Sequence, residues 1–408
     1  MNPKTIHLVD RWLGIPACWL LTRARWVGDF VRGRPQEAFS DPPQKILFIK
    51  LVELGANVQA YAALRRAAEM VGRENVYFWV FDENRPILEL LDVVPRENLL
   101  VIRSDNLARF VLDTLKTLRR IRQLRIDAVV DMEFFARASA LLAYLTGARR
   151  RVGLHRFTCE GVYRGDLMTH RVGYNPYTHV SRYFHLLVEA LVSDPREIPL
   201  LKCPLPEEEL ESFCFEPTEQ ERAELREMLA ASGVETAGPL VLLNPNASDI
   251  VPVRRWPTER FVEVGQKLLA SHDELTVVVT GSPAEQDVSA DVVRRLDSPR
   301  AVSLAGKTTL RQLLVLYGLS DVLVTNDSGP GQFASMTPIH AVVLFGPETP
   351  AIWKPLGPRV NALWAGLACS PCVNPFNYRF SPCRNPRCMT DLTVEAVVSA
   401  TEKALRQR

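Results

Sequence analysis

The feature that most constrains this sequence is a regular alternation of short apolar runs with segments of helical spacing. The apolar runs of the first half lie at residues 46–49, 76–81, 99–102 and 128–131. Segments of helical spacing separate them, at 58–70, 85–92, 106–124 and 136–146. A strand that is covered by helices on both faces has no polar side, so it forms a continuous apolar run. The alternation therefore predicts an α/β fold with a doubly wound parallel sheet.

The alternation stops between residues 203 and 238, where Pro, Glu and Ala predominate and one helix is predicted at 219–231. It resumes with strands predicted at 240–243, 276–280, 300–304, 322–325 and 341–345, and helices at 258–270 and 284–296. A chain of 408 residues is longer than one hydrophobic core usually supports. We therefore expect an N-terminal arm and linker over 1–43 and α/β domains over 44–215 and 216–408, the last helix of which could pack back on the first domain.

The charge balance and the apolar pattern exclude several classes of protein. Forty-nine Lys and Arg oppose 47 Asp and Glu, and a net charge of +2 does not indicate nucleic-acid binding. No apolar run reaches the roughly 18 residues of a membrane span, and the N-terminus lacks the pattern of a signal peptide. We expect a cytoplasmic protein.

The first 30 residues contain an apolar stretch at 12–21, followed by Arg23, Arg25 and Trp26. Basic and aromatic flanks of this kind are typical of a short amphipathic arm, and residues 12–26 could lie in a membrane interface as a peripheral contact. The alternative is an arm packed on the protein's own surface. Pro16 is expected to interrupt any helix here, and the Pro-rich stretch at 33–44 predicts a linker.

Arginines make part of the first domain locally basic, at 119, 120, 122 and 125 and again at 149–151. They could face anionic lipid headgroups or a phosphorylated acceptor. A helix with several arginines is equally typical of a solvated surface.

The sharpest local motif is the apolar run 322–325 followed by Asn-Asp-Ser-Gly-Pro-Gly-Gln at 326–332. In open α/β sheets ligands lie where such a strand meets the start of a helix, whose free N–H groups attract phosphate. Asp327 could hold a sugar or ribose hydroxyl, while Ser328 and the amide of Gly329 could hold phosphate. The alternative is that Asp327 and Ser328 only cap the helix.

Two further strand ends reach the same side of the predicted second sheet. Asn246 lies in a polar turn after the run 240–243, and Arg254 could supply a cation for phosphate oxygens. Glu285 follows the strand that ends at Thr280 and could hold a ribose through two hydroxyls; alternatively it complements the helix dipole. Three convergent strand ends predict a nucleotide-diphosphate site.

The order of Asn-Pro-Asn-Ala, Arg-x-Trp-Pro, Gly-Ser-Pro-x-Glu, Asn-Asp-Ser-Gly-Pro and Leu-Phe-Gly-Pro resembles the heptosyltransferases of glycosyltransferase family 9, over residues 44–405. The resemblance implies two facing Rossmann-like domains of the GT-B fold. It also implies metal-independent, inverting transfer from an ADP-heptose-like donor to a lipopolysaccharide or other glycolipid acceptor, without a cofactor. Arg254 stands where the family has a donor-phosphate lysine and Glu285 where it has a ribose ligand. Asp327, Ser328 and Gly329 stand where the family contacts sugar and diphosphate.

The sequence departs from the family at two positions. The family has Leu-Gly-Asp in its first loop, with the Asp as presumed general base, but this chain has Ala56 there, and Gln332 replaces a His. Inverting transfer needs a carboxylate or imidazole to take the acceptor proton. Glu53 in the same loop is our first candidate, and Asp131 and Glu133 are the next.

Four cysteines cluster near the C-terminus, at Cys369, Cys372, Cys383 and Cys388. The first pair has the spacing of zinc and iron–sulfur sites, so a structural metal is one hypothesis. Free thiols or a local disulfide are the alternatives. No motif indicates a catalytic metal.

These observations favour a glycosyltransferase that binds a nucleotide-diphosphate sugar in its second domain and a glycolipid or oligosaccharide acceptor in its first. Ala56 and Gln332 leave open a non-catalytic protein that binds sugar nucleotides or glycans. A nucleotide-sugar epimerase of the same architecture is a third hypothesis.

Overall fold

The computed structural model describes residues 10–31, 39, 41–158, 161–205, 210–234, 238–377 and 379–407. The chain forms two compact units, one of Met1–Glu211 with Pro375–Arg379 and the other of Ser212–Asn374 with Phe380–Arg408. The first passage between them falls within the predicted interruption at 203–238. Most of the predicted linker over 33–44 lies outside the described residues.

The described part of the first unit contains six parallel strands and, from Gly14 onwards, seven α-helices. The strands are β1 (Ile46–Ile49), β2 (Val76–Phe81), β3 (Leu99–Ile102), β4 (Ala128–Asp131), β5 (Arg150–Leu154) and β6 (His170–Val172), in the order β3-β2-β1-β4-β5-β6. The helices are α1 (Gly14–Val31), α2 (Leu54–Gln59), α3 (Tyr61–Val71), α4 (Arg85–Leu91), α5 (Leu107–Gln123), α6 (Arg137–Leu145) and α7 (Val180–Glu189).

The strand order reverses between β1 and β4, which pair in parallel with Ile49 opposite Asp131. The loops that follow these two strands are therefore neighbours at the carboxyl edge of the sheet. This is the position at which open α/β sheets bind ligands.

The second unit repeats this architecture. Its described strands are β7 (Leu240–Asn244), β8 (Thr276–Val279), β9 (Ala301–Ser303), β10 (Val322–Asn326), β11 (His340–Phe345) and β12 (Val360–Trp364), in the order β12-β11-β10-β7-β8-β9. Its described α-helices are α8 (Glu219–Ala231), α9 (Thr258–Ser271), α10 (Gln286–Leu296), α11 (Leu310–Gly318), α12 (Gly329–Ala334), α13 (Pro350–Trp353), α14 (Arg387–Thr390) and α15 (Val394–Leu405).

The strand order of the second unit reverses between β7 and β10, which pair with Thr325 opposite Asn244. Both units thus have the strand order of a Rossmann fold. The prediction of doubly wound parallel sheets is confirmed.

One local prediction was wrong. The segment predicted as one helix over 58–70 forms two helices, α2 and α3, which meet at Ala60. Val394, Val397 and Ala400 of the last helix, α15, lie in the hydrophobic core of the second unit, and its packing on the first unit stays a prediction. The apolar face of α15 packs against β10 and β11 in this core.

The N-terminal arm is also more regular than predicted, because Pro16 does not interrupt it. Proline near the start of a helix costs little, since the first N–H groups have no partner inside the helix. Gly14, Cys18 and Thr22 form the buried stripe of α1. Within the described part of the chain, no helix has the length and apolarity needed to cross a membrane.

Candidate active site

Asn326 joins the two strands at the reversal point of the second sheet. Its Nδ2 donates to the carbonyl oxygens of Pro245 (3.0 Å) and Asn246 (3.2 Å), and its Oδ1 accepts from the backbone N–H of Trp256 at 2.9 Å. The side chain is fully buried. The asparagine of the Asn-Asp-Ser-Gly motif therefore fixes the loops around the site, a role that sequence reasoning missed.

Two more asparagines shape the neighbouring edge between β7 and β8. Asn244 Nδ2 donates to the carbonyl oxygen and the Oγ1 of Thr280, both at 3.2 Å. The Nδ2 of Asn246 is buried and has no hydrogen-bond partner among the described residues. A Cβ atom at Gly281 would lie 3.1 Å from this Nδ2, so a glycine leaves room for the amide. Asn246 is thus a candidate donor to a ligand.

Asp327 and Glu348 form a buried pair of carboxyl groups, joined by a hydrogen bond. Burial raises the pKa of Asp327 to about 6. Burial and the neighbouring Asp327 raise the pKa of Glu348 to about 8. Two carboxylates this close cannot both ionise cheaply, so the pair holds a proton near neutral pH. Sequence reasoning missed Glu348, which lies just beyond the Leu-Phe-Gly-Pro motif.

Arg254 is the cation beside this pair, and its charge opposes the rise in both pKa values. Its Nη2 donates to Ser248 Oγ at 3.2 Å, while its buried Nε has no hydrogen-bond partner in the described residues. The next residue, Arg255, instead donates its Nε to the carbonyl oxygen of Ala247 at 2.9 Å. Arg254 is therefore the better placed of the two to bind a ligand anion.

The structure contradicts the alternative that Asp327 and Ser328 only cap the following helix. Ser328 occupies the N-cap position of α12, but its side chain makes no cap hydrogen bond and donates to the carbonyl oxygen of Asn326 at 3.2 Å. Gly329 is the first residue of α12. Gln332 is buried and donates its Nε2 to the Trp353 carbonyl oxygen at 2.8 Å, so it links α12 to α13.

Glu285 has a local partner. Its Oε2 accepts from the backbone N–H of Ser282 at 2.7 Å, and the two residues form a capping box. Glu285 is half-buried at this strand end. Its role as a ribose ligand stays a prediction.

Lys50 is the centre of a charged network at the edge of the first sheet. Its fully buried Nζ lies 2.9 Å from Glu53 Oε2 and 3.0 Å from Glu133 Oε2. Burial lowers the pKa of Lys50, whereas Glu133 raises it. Glu133 Oε1 also accepts from the backbone N–H of Leu51 at 2.7 Å, so Glu133 fixes the loop after β1.

Glu53 is held from two sides. Lys50 binds its Oε2, and Arg379 forms an ion pair with its Oε1. The backbone of Glu53 is left-handed, with a φ of 72°, which is uncommon for a residue with a side chain. The Glu53 carboxylate keeps partial contact with solvent, as a base would need.

Asp131 lies deeper and is more fully bound. It pairs with Arg164, its Oδ2 accepts from Ser139 Oγ at 3.0 Å, and its Oδ1 accepts from the backbone N–H of Glu133 at 3.1 Å. Burial raises its pKa. These contacts suit a structural carboxylate and make Asp131 a weaker candidate for the base than Glu53.

Ala56 is buried in α2, so the position that carries the family's acid holds a methyl group in this chain. The next residue, Asn57, is fully buried, and neither polar atom of its side chain has a hydrogen-bond partner within the described residues. An unpaired buried amide is uncommon in proteins. Sequence reasoning missed Asn57.

Among the described residues, none of the four clustered cysteines forms a disulfide. Cys388 is buried, and burial together with the nearby Cys372, Cys383 and Cys369 raises its pKa to about 11. Among the described residues, no group of three or more His, Cys, Asp or Glu side chains could hold a metal ion.

Comparisons with known proteins agree with this architecture. The chain has the fold of the heptosyltransferase II of Escherichia coli, with a TM-score of 0.66 at 20% identity over 89% of this chain and 99% of that one. A family 9 glycosyltransferase from Veillonella parvula aligns with a TM-score of 0.72 at 18% identity, over 91% of this chain and 100% of that chain.

Sequence relatives point the same way. The lipooligosaccharide heptosyltransferase 2 of Campylobacter jejuni is 28% identical over 167 residues, which are 40% of this chain and 50% of that protein. The chain spans about half the length of the curated relatives it matches. The family model described as glycosyltransferase family 9 (heptosyltransferase) matches residues 114–378. The chain therefore belongs to glycosyltransferase family 9, the heptosyltransferase family.

Proposed function

We propose that this protein transfers a sugar from a nucleotide-diphosphate donor to a lipopolysaccharide or related glycolipid acceptor. The observation that carries the proposal is the buried Asp327–Glu348 pair with Arg254 beside it, at the reversal point of the second sheet. Membership of the heptosyltransferase family supports an ADP-heptose-like donor. Inverting, metal-independent transfer follows from the same resemblance.

The donor diphosphate binds to Arg254, Ser328 and the backbone amide of Gly329. Arg254 is the cation of this group, and an arginine can bind phosphate oxygens through two N–H groups. Asn246 adds its buried Nδ2 as a further donor. Glu285 binds the ribose hydroxyls with the oxygen that its capping box leaves available.

Asp327 and Glu348 bind hydroxyl groups of the donor sugar. A protonated acid beside an ionised one offers both a donor and an acceptor, which suits a hydroxyl group. One shared proton also reduces the repulsion between these acids and the diphosphate. When the bond from the sugar to the diphosphate breaks, Arg254 stabilises the departing negative charge.

Glu53 accepts the proton of the acceptor hydroxyl. In the structure Lys50 and Arg379 hold its carboxylate in place in the loop after β1. To act, Glu53 must exchange one of these ion pairs for a hydrogen bond to the acceptor. Asp131 is the weaker alternative because it is buried and bound by Arg164, Ser139 and the backbone N–H of Glu133.

Calorimetric titration with ADP-, UDP- and GDP-linked sugars, followed by a transfer assay on a glycolipid extract, tests the proposal. We expect selective binding of one donor and acceptor-dependent release of its nucleotide. Absence of binding to any nucleotide sugar would contradict the donor site.

A second candidate function is a binding protein without transferase activity. Two features of the segment after β1 favour it. Ala56 carries no acid, and the Glu53 carboxylate is already bound by Lys50 and Arg379. Selective donor binding with no product from any glycolipid would support this candidate. Donor turnover without acceptor would instead support an epimerase.

The acceptor class also bears on where the protein acts. We propose that it works on the cytoplasmic face of a membrane, with residues 12–26 as a peripheral contact. The exposed tryptophans of this segment support that contact.

A further inference from the structure

The outer face of α1 and the helical residues 10–12 before it present three tryptophans spaced one heptad apart. Trp12, Trp19 and Trp26 expose 69%, 49% and 45% of their surface. Other exposed apolar residues accompany them: Leu13, Ile15, Leu20, Val27, Phe30 and Val31. An apolar surface of this kind, rich in tryptophan, is uncommon on a protein that contacts only water.

This surface is fixed to the first unit. Asp10 pairs with Arg137 of α6 at 2.9 Å, and Thr22 Oγ1 accepts from the backbone N–H of Asp166 at 2.9 Å. Trp26 donates its Nε1 to Asp166 Oδ2 at 3.2 Å. The helix is therefore anchored through its inner face while its outer face stays exposed.

An arginine is stacked between the tryptophans. The guanidinium of Arg23 lies 5.4 Å from the ring centre of Trp19 and 5.0 Å from that of Trp26. The acid on α1, Asp29, is paired with Arg25 at 3.5 Å. Tryptophan rings and arginine side chains together suit the headgroup level of a bilayer.

Helix α5 presents a second exposed apolar surface. Leu107, Val111, Leu112 and Leu115 are all exposed on it. The helix has five basic residues and one acid, and that acid, Asp113, is paired with Arg103 at 2.9 Å. Its outer surface thus combines apolar side chains with positive charge.

The two helices belong to one layer of the first unit. Cys18 of α1 and Ile121 of α5 lie in the same core cluster as Ala140 of α6. Helices α5 and α6 pack on the same face of the sheet and α1 packs on α6, so α1 and α5 lie on one side of the sheet.

We propose that the outer faces of α1 and α5 together dock the first unit on an anionic bilayer surface. Trp12, Trp19, Trp26 and the α5 leucines enter the boundary between headgroups and acyl chains, and the basic residues meet lipid phosphates. The excess of positive charge on α5 favours an anionic bilayer over a second copy of this chain, which would bring like charges together. The inference deepens the proposed function, since a glycolipid acceptor lies in a membrane, but vesicle binding does not require transfer.

Co-sedimentation of the full chain with vesicles tests the proposal. We compare phosphatidylcholine alone with phosphatidylcholine mixed with phosphatidylglycerol. Val111→Asp on α5 and the double variant Trp19→Ser, Trp26→Ser on α1 are each expected to weaken binding to the mixed vesicles roughly tenfold or more. Val288→Asp on α10 of the second unit is the matched control, because Val288 is 42% exposed and Val111 is 46% exposed.

Equal binding of Val111→Asp and Val288→Asp would overturn the proposal, as would wild-type binding that does not depend on the anionic lipid. Self-association that Val111→Asp abolishes, without vesicle binding by the wild type, would also overturn it and make this face an interface between copies. Donor binding is measured in parallel on the same samples. Vesicle binding without donor binding would support docking and contradict the proposed function. Donor binding without vesicle binding would contradict docking alone.

Discussion

Asp131 ends a buried strand and Asp327 follows one. Both side chains are removed from water, but their partners differ. Asp131 faces the guanidinium of Arg164, whereas Asp327 faces the carboxyl group of Glu348. A buried acid beside a cation is a structural ion pair; a buried acid beside another acid keeps a proton and stays available to hydroxyl groups. The partner, more than the burial, decides the role.

The Asp327–Glu348 pair makes stability depend on pH. The folded-state pKa values, about 6 and about 8, lie above the ordinary values of 3.8 and 4.5. The unfolded chain therefore releases these protons at a lower pH than the folded chain does. The pair does not reduce the free energy of unfolding below about pH 4, but it reduces that free energy increasingly as the pH rises towards about 8. We expect Glu348→Gln to be more stable than the wild type by about 1–2 kcal/mol near pH 8, and the difference to vanish as the pH falls to about 4. Denaturant unfolding across this range measures the difference, and parallel curves for the two proteins would contradict it.

Arg254 should contribute to donor affinity through its charge. We expect Arg254→Ala to weaken binding of the cognate nucleotide sugar about tenfold to hundredfold, because a charged hydrogen bond to phosphate is lost. Arg254→Lys keeps the charge and should recover part of the affinity. Calorimetric titration measures both variants, and wild-type affinity in Arg254→Ala would remove this residue from the site.

Glu53 should contribute to turnover rather than to donor binding. We expect Glu53→Gln to lower kcat by about 10²- to 10⁴-fold, the usual contribution of a general base, with donor affinity unchanged. Glu133→Gln is the control for the network, because it disturbs Lys50 and the loop after β1 without replacing the proposed base. Steady-state kinetics measure kcat for both variants. Full activity of Glu53→Gln would show that another group is the base.

At the scale of elements, much of the fold could be predicted from apolar runs alone. Strands at 76–81, 99–102 and 128–131 match the structure residue for residue. The missed strands β5, β6 and β12 are short or carry polar residues, such as His170 at the start of β6, so they do not form apolar runs. Their pairing in the sheet, which is a long-range property, determines their conformation.

The candidate site could be predicted only in part, for a similar reason. Motifs at strand ends identified Arg254, Asp327 and Ser328. Glu348 and Arg379 gain their significance from contacts with residues far away in sequence, Asp327 and Glu53. No local pattern marks such a partner.

Asn326 at the end of β10 binds the segment that follows β7, so its replacement should destabilise the loops at the reversal point of the second sheet. We expect Asn326→Ala to destabilise the protein by about 2–4 kcal/mol, because it leaves the N–H of Trp256 and the carbonyl oxygens of Pro245 and Asn246 without partners. Asn75→Ala is the control. Asn75 Nδ2 donates to the Val71 carbonyl oxygen at 2.8 Å and to Glu74 Oε1 at 3.4 Å in a partly exposed position, and the loss of these bonds should cost less than about 1 kcal/mol. Thermal unfolding of both variants provides the comparison, and equal losses would contradict the joining role of Asn326.

At the scale of the whole molecule, the two units share one topology but differ in the chemistry at their strand reversal points. The loops after β1 and β4 gather Lys50 between two glutamates, whereas the loops after β10 and β11 gather two acids beside one arginine. The same architecture thus supplies carboxylates paired with a cation in one unit and two acids that share a proton in the other. That division suits a reaction in which one substrate gives up a proton and the other a charged leaving group.

The first unit is not continuous in sequence, because residues 375–379 belong to it. Arg379, the partner of Glu53, is therefore made long after the rest of that unit has left the ribosome. Domains generally fold as they are synthesised, so the nascent first unit must wait for most of the second before Glu53 acquires this ion pair. The Glu53–Arg379 ion pair can therefore form only after all the described strands of the second unit, β7 to β12, have been synthesised.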